Sequence, residues 1–148
     1  MTSVATAMLE SYPGSTIEVR QELLTSCISA CLKCSLACTA CSDACMAESD
    51  ISALVKCIRT DLDCADMCDA TAKALTRQTA YDLTVIRSVV SACLTTVIAC
   101  AEECERHAAH HVHCAICADV CRQAEVACRD LLVALDARQT GSTVGAPN

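Results

Sequence analysis

Aromatic side chains are almost absent from this sequence of 148 residues, which contains two Tyr, no Phe and no Trp. Its three Gly and two Pro are too few for a fold built from strands and tight turns. No run of basic residues occurs, and the formal net charge of −7 argues against nucleic-acid binding. These absences favour a single helical domain whose core is built from Ala, Leu, Val, Ile and Cys.

We also expect no segment that spans a membrane. The most apolar stretch, residues 88–101, has 14 residues between Arg87 and Glu102, whereas a helix needs about 20 apolar residues to cross a bilayer. The N-terminal sequence MTSVATAMLESYPG has no positive region followed by a long apolar one, so we expect no signal peptide. These features predict a cytoplasmic protein that does not contact a membrane.

Cysteine, in contrast, is present in large excess, with 16 copies. Six of them lie in CISACLKCSLACTACSDAC, at spacings of 4, 3, 4, 3 and 4 residues. Spacings of 3, 4 and 7 keep side chains on one face of a helix, and the remaining cysteines follow the same rule. The sixteen therefore form four single-face stripes: Cys27, Cys31, Cys34, Cys38, Cys41 and Cys45; Cys57, Cys64 and Cys68; Cys93, Cys100 and Cys104; Cys114, Cys117, Cys121 and Cys128.

Caps and breaks divide the chain into four helices, one for each stripe. Ser15 with Glu18 is a candidate capping box for a helix over 16–47, and Ser49 or Asp50 caps a second helix that ends near residue 75. A third helix is predicted over 79–108, and a fourth ends near residue 138. Because the connections are short, we expect an all-α, antiparallel up-down-up-down four-helix bundle. The bundle occupies residues 16–138, between an N-terminal segment, 1–15, and a disordered tail, 139–148.

Several explanations of the cysteine stripes can be compared. Cysteine packs as a small hydrophobe, but Ala, Val or Leu would do so without the risk of oxidation. Disulfides between successive turns of one helix constrain little, and no signal peptide points to an oxidising compartment. The CxxC pairs lie within continuous ladders, which differ from zinc knuckles, and neither an iron–sulfur loop nor the Glu-x-x-His pattern of di-iron bundles occurs.

Soft thiolates select Cu(I), which accepts two or three sulfurs. A ladder of thiols can therefore hold a ladder of ions, on the order of one per cysteine. Each Cu(I) that replaces a thiol proton leaves the core neutral, whereas Zn(II) at that density would accumulate positive charge. The stripe from Cys27 to Cys45 spans about 27 Å at 1.5 Å per residue. This length indicates storage, since a chaperone or sensor needs few ligands.

The antiparallel order brings the turns at 48–50 and 108–113 to the same end of the bundle, which we call the mouth. We expect the mouth to carry the metal-uptake residues Met46, Glu48, His107, His110, His111 and His113. The opposite end is predicted to be an apolar plug of Leu24, Leu75, Ile86, Val90, Leu132 and Leu135. Metal is therefore expected to enter and leave at the mouth.

Asp61 interrupts the second stripe, midway between Cys57 and Cys64. A buried carboxylate is costly unless it is paired or binds a metal. Two interpretations stay open here. Asp61 either binds early metal or hydrogen-bonds a histidine, or a local distortion of the bundle lets it reach water.

The Cys27–Cys45 ladder, the inward stripes of the other helices and the His107–His113 cluster together resemble the bacterial copper storage proteins, in particular their cytosolic branch. The resemblance covers residues 16–138. It implies a homotetramer of four-helix bundles that store many Cu(I) ions and an uptake end lined with His and acidic residues. The expected partners are copper ions, further copies of the chain and, as a candidate for delivery, a copper chaperone.

The sequence therefore predicts a non-enzymatic, cytoplasmic store of Cu(I). The alternative is a thiol redox sensor or a buffer of Zn(II) or another soft metal that acts on a partner. The small, nearly uncharged residues on the outer face of the third helix, Thr84, Ser88, Ser91 and Thr95, suggest a contact with another subunit.

Overall fold

The computed structural model describes residues 3–142, and for Gly141 and Ser142 the backbone alone. This part of the chain forms five helices and no strands: α1 (Val4–Glu10), α2 (Gln21–Ala47), α3 (Ile51–Thr76), α4 (Leu83–His107) and α5 (Val112–Ser142). The four long helices carry the four cysteine stripes. The all-α fold expected from the sequence is confirmed.

The four long helices pack side by side, with α2 and α4 each between α3 and α5. Sulfur contacts give their directions, since Cys27 meets Cys128 whereas Cys41 meets Cys114. Ascending numbers in α2 thus face descending numbers in α5. The same reversal relates α3 to α4, where Cys57 meets Cys104 and Asp61 meets Cys100. Helix α2 therefore runs opposite to α5, and α3 runs opposite to α4.

The N-terminal segment closes one end of this bundle. Helix α2 begins at Gln21, so the predicted helix start at residue 16 and the capping box at Ser15 are wrong. The physical reason is Ile17, which is buried; its backbone N–H donates to Gln78 Oε1 over 2.8 Å. The Gln78 amide also donates to the Leu75 carbonyl over 2.7 Å. This extended segment is therefore tied across the end of α3.

The other helix boundaries lie close to the expected ones. Asp82 caps α4 by accepting from the Val85 N–H over 3.1 Å. Helix α5 continues past residue 138 to Ser142, so residues 139–142 of the expected disordered tail are helical. Residues 143–148 of that tail lie outside the described part of the chain.

Two helices within residues 3–142, α2 and α4, are long and apolar enough to cross a membrane by length and composition. This is weak evidence, because the core helix of a soluble protein meets the same criteria. In α2 the cysteines contribute much of the apolar character, and they face the interior of the bundle.

Candidate metal centre

The sixteen thiols form one continuous column along the axis of the bundle. All lie within the described residues, all are at most 2% exposed, and all are free rather than disulfide-bonded. The helical spacing of 3 and 4 places each stripe on the inner face of its helix. Because the bundle is narrow, thiols meet even across its diagonal, where Cys38 lies 3.8 Å from Cys100.

Neighbouring sulfurs along the column are close enough to bind the same metal ion. The distance between them is shorter than two metal–sulfur bonds placed end to end. At its closed end Cys31 lies 3.8 Å from Cys93, which lies 3.7 Å from Cys68. At mid-height Cys121 lies 3.6 Å from Cys34 and 3.7 Å from Cys38. One ion bound to either sulfur of such a pair can therefore also reach the other.

Groups of four ligand atoms lie within 4.8 Å of one another at several heights. Among these groups are three of sulfur only, Cys34/Cys38/Cys64/Cys121, Cys38/Cys100/Cys117/Cys121 and Cys41/Cys45/Cys57/Cys114. Two others include a carboxylate oxygen of Asp61, Cys41/Cys57/Asp61/Cys104 and Asp61/Cys100/Cys104/Cys117. The groups share members, so one thiolate could bridge two ions. Shared soft ligands suit a chain of Cu(I) ions better than isolated tetrahedral sites.

Burial raises the pKa of two thiols near the mouth of this column, Cys45 and Cys114. Loss of water raises the pKa of the Cys45 thiol to about 11. The same desolvation is the main cause that raises the pKa of Cys114. A neutral thiol packs like a small hydrophobe, whereas a buried row of thiolates would repel one another. Metal must therefore displace a proton at these sulfurs when it binds.

Asp61 lies inside the column and is fully buried, so the interpretation in which it reaches water is wrong. Its Oδ1 accepts from the thiols of Cys100 at 3.1 Å, Cys104 at 3.3 Å and Cys117 at 3.4 Å. Burial, followed by the neighbouring Cys100, raises the pKa of Asp61 to about 9. Its hydrogen-bond partners are thiols. A role as an oxygen ligand for copper therefore stays a prediction.

The mouth brings together the two turns that the sequence placed there. Glu48 Oε1 lies 3.1 Å from His111 Nδ1 and 3.1 Å from His113 Nε2. Hydrogen bonds with His113 and His111 lower the pKa of Glu48, so its carboxylate is an acceptor for both rings. Each histidine therefore turns its second nitrogen away from Glu48.

His113 links this pair to the thiol column. Its Nδ1 lies 3.4 Å from Cys41 Sγ, 3.5 Å from Cys114 Sγ and 3.9 Å from Cys45 Sγ. Because Nε2 lies against the Glu48 carboxylate, Nδ1 is the nitrogen that faces the three sulfurs. This mixed nitrogen and sulfur environment is the outermost part of the column.

Glu103 was missed by the sequence analysis although it belongs to the mouth. Its carboxylate is buried and lies 3.3 Å from His107 Nε2. The His107 and His111 rings are 6.5 Å apart, and the His111 and His113 rings are 5.4 Å apart. The three histidines thus form a row that ends at the thiols. The four-residue spacing from Glu103 to His107 was the available signal.

Two predicted mouth residues do not join this row. His110 is exposed in the turn, and Met46 is 50% exposed. Both lie at the correct end of the bundle but outside the thiol-lined interior. Their uptake role therefore stays a prediction. The mouth also contains one apolar side chain, Leu54, which is fully buried one turn before Cys57.

The plug at the opposite end is present with one change of residue. Leu24, Leu75, Ile86, Val90 and Leu135 are buried as predicted. Leu132 is only partly buried, and Leu131 is the fully buried side chain. Both follow Cys128 within one turn, at spacings of 3 and 4. The buried pair Leu131 and Leu135 continues the inner face of α5.

A family model described as "Copper storage protein" matches residues 20–133, which include all sixteen cysteines. The uncharacterized cysteine-rich protein YhjQ of Bacillus subtilis (strain 168) is 34% identical over 106 residues, which are 72% of this chain and 93% of that protein.

The similar solved structures are also copper storage proteins. The copper storage protein Ccsp from Streptomyces lividans, loaded with 10 copper equivalents, is 49% identical. The match covers 88% of this chain and 99% of that chain, with a TM-score of 0.87. A cytosolic copper storage protein from Streptomyces lividans with five coppers is 54% identical over 76% of this chain and 93% of that chain, with a TM-score of 0.75.

Proposed function

The chain belongs to the copper storage protein family, and on that premise we propose that it stores Cu(I) in the cytoplasm and takes it up through the histidine-bearing mouth. The observation that carries this proposal is the continuous column of sixteen buried, free thiols. The capacity we expect is on the order of one ion per cysteine, because each thiolate can bridge two ions. The redox-sensor and zinc-buffer alternative is not favoured by the family or by the thiol geometry.

A titration of the reduced, metal-free protein with Cu(I) under anaerobic conditions tests this capacity. We expect binding to continue well beyond four ions per chain, with chelator competition giving the endpoint. Saturation at four ions or fewer would contradict storage. Copper-free, disulfide-linked protein isolated from copper-loaded cells would instead support the redox alternative.

Copper admission is proposed to start at His107 and His111 and to pass through His113 to the first thiols. The support is the row of three rings and the position of His113 Nδ1 beside three sulfurs. In this scheme Glu48 orients His111 and His113, and Asp61 offers an oxygen ligand to early ions. The sixteen cysteines hold the stored ions, whereas His110 and Met46 are peripheral.

A double replacement, His107→Phe with His111→Phe, tests this route while filling the volume of the two rings. We expect slower copper uptake with little change in capacity, because the thiols remain intact. Stopped-flow transfer from a coloured Cu(I) chelator measures the rate. His110→Phe on the same turn is the comparison and should have the smaller effect. An unchanged rate in the double variant would remove the uptake role.

We also propose that the cytoplasmic chain is not an enzyme and assembles as a homotetramer, with a copper chaperone as its delivery partner. The neighbour described as cytosolic supports the compartment. The exposed row Thr84, Ser88, Ser91 and Thr95 on α4 supports a subunit contact, since its side chains are small and uncharged. Light scattering should give four times the chain mass, and Thr95→Arg should lower it. A monomeric wild-type protein would contradict this assembly.

A further inference from the structure

Glu103 is a buried carboxylate at the mouth, and its partners are two cations and a histidine rather than thiols. Its side chain is 7% exposed although it lies on α4 beside the charged rim. Three groups surround it: Arg106 Nη1 at 2.9 Å, His107 Nε2 at 3.3 Å and Lys56 Nζ at 3.5 Å. Lys56 comes from α3, so the carboxylate sits where two helices meet. A carboxylate is rarely buried unless such partners hold it.

The two cations and the histidine contact different oxygens of this carboxylate. Arg106 Nη1 and Lys56 Nζ lie against Oε2, at 2.9 Å and 3.5 Å. Oε1 is left to His107 Nε2, at 3.3 Å. A carboxylate oxygen accepts from a ring N–H, so this geometry makes Nε2 the donor and leaves Nδ1 for a ligand.

We propose that Glu103 is a positioning residue for copper uptake: it fixes His107 in the Nε2–H form and presents Nδ1 as the copper ligand. This inference rests on the proposed uptake role of His107. A carboxylate that accepts from the second nitrogen of a ligand histidine orients the ring and increases its basicity. Arg106, on the same helix, holds the carboxylate in place over 2.9 Å, whereas Lys56 links it to α3.

The opposite wall of the mouth has the same arrangement, built from different helices. There Glu48, at the end of α2, contacts His113 Nε2, and His113 Nδ1 faces Cys41, Cys45 and Cys114. His107 and His113 thus both present Nε2 to a carboxylate, whereas His111 presents Nδ1 to Glu48. The geometry around His113 thus provides an internal model for His107.

A purely structural role is the competing explanation, because Glu103 also links α3 to α4 through Lys56. Four variants separate the two roles. Glu103→Ala removes the acceptor, and Glu103→Gln keeps a weaker one and guards against misfolding. Lys56→Met removes only the link between helices. Glu105→Gln is the matched control, since Glu105 lies on the same helix, is exposed and pairs with Arg122 at 2.8 Å.

The first measurement is the tautomer of His107, read from long-range proton–nitrogen spectra of protein labelled at histidine nitrogen. We expect the Nε2–H form in the wild type, in Lys56→Met and in Glu105→Gln, and a mixture of forms in Glu103→Ala. The second measurement is the rate of Cu(I) transfer from a coloured chelator. Glu103→Ala should slow it about tenfold, within the range for residues that support metal ligands, Glu103→Gln less so, and capacity should not change.

A wild-type tautomer and rate in both Glu103 variants would overturn the proposal. So would a loss of rate in Lys56→Met equal to that in Glu103→Ala, since that would indicate a structural link. If the double histidine variant slows uptake but the Glu103 variants do not, positioning fails and the proposed function stands. If neither slows uptake, the route through His107 itself is wrong.

Discussion

A single carboxyl group among the thiols makes the stability of the metal-free protein depend on pH. Asp61 accepts from three thiols, and burial raises its pKa to about 9, compared with 3.8 for a free side chain. The folded protein therefore keeps Asp61 protonated over a range in which the unfolded chain ionises it. Because the pKa of Asp61 is raised in the folded state, this residue stabilises the folded protein most at low pH. Its contribution to the free energy of unfolding declines as the pH rises from about 4 to about 9.

Asp61→Asn should remove this decline, because the amide stays neutral at every pH. We expect the variant to gain stability relative to the wild type as the pH rises from 5 to 8. The gain should be on the order of 2–4 kcal/mol over that range, at about 1.4 kcal/mol per pH unit. Urea unfolding of the reduced, copper-free proteins measures it. Asp63→Asn, an exposed neighbour, is the control, and a pH-independent difference for Asp61→Asn would refute the interpretation.

Residue spacing was sufficient to predict which side chains face the interior and insufficient to predict which charged groups meet. The positions of Cys27 to Cys128 follow from helical periodicity alone, and each proved to be buried. Glu103 could not be assigned in the same way, since its burial depends on Lys56 from a helix 47 residues earlier in the sequence. Periodicity indicates a face, whereas the register between helices decides which charges meet.

At the scale of the helices, the closed end shows what sequence patterns leave undecided. Spacing from Cys128 allowed either Leu131 or Leu132 to face inward, and only the packing of α5 selects Leu131. Likewise, nothing in the local sequence indicated that residues 16–20 would stay extended. That conformation follows from the hydrogen bond between Ile17 N–H and Gln78, whose residues are 61 apart in sequence.

The adjacent leucines provide a matched test of this register. Leu131→Ala removes a fully buried side chain and should cost about 2–5 kcal/mol of unfolding free energy. Leu132→Ala removes a partly exposed one and should cost less than half as much. Chemical denaturation of the copper-free proteins gives both values. Equal costs, or a larger cost for Leu132→Ala, would mean that α5 is rotated relative to the fold described above.

On the scale of the whole molecule, the column exchanges one cation for another. The thiols of Cys45 and Cys114 are protonated at neutral pH in the metal-free state, because burial raises the pKa of both. Neutral thiols can pack as an ordinary core, so the bundle does not require metal in order to fold. Replacement of each proton by Cu(I) then leaves the net charge of −7 unchanged.

Copper loading should therefore release close to one proton per ion at neutral pH. A pH-stat experiment on reduced protein, with Cu(I) supplied as a complex that neither binds nor releases protons, measures this ratio directly. The ratio should hold through most of the filling, because the thiols share one environment. Release of far less than one proton per ion would mean that thiolates already exist in the metal-free core.

The sealed end has a consequence for the order in which the stored metal becomes available. Ile17 and the buried leucines close the column at the Cys27 end, while His113 stands at the other. If the mouth is the sole passage, ions can move inward only by transfer between neighbouring sulfurs. Withdrawal then follows a last-in, first-out order. Copper that arrived most recently would serve immediate demand, and the ions beside Cys27 and Cys128 would turn over slowest.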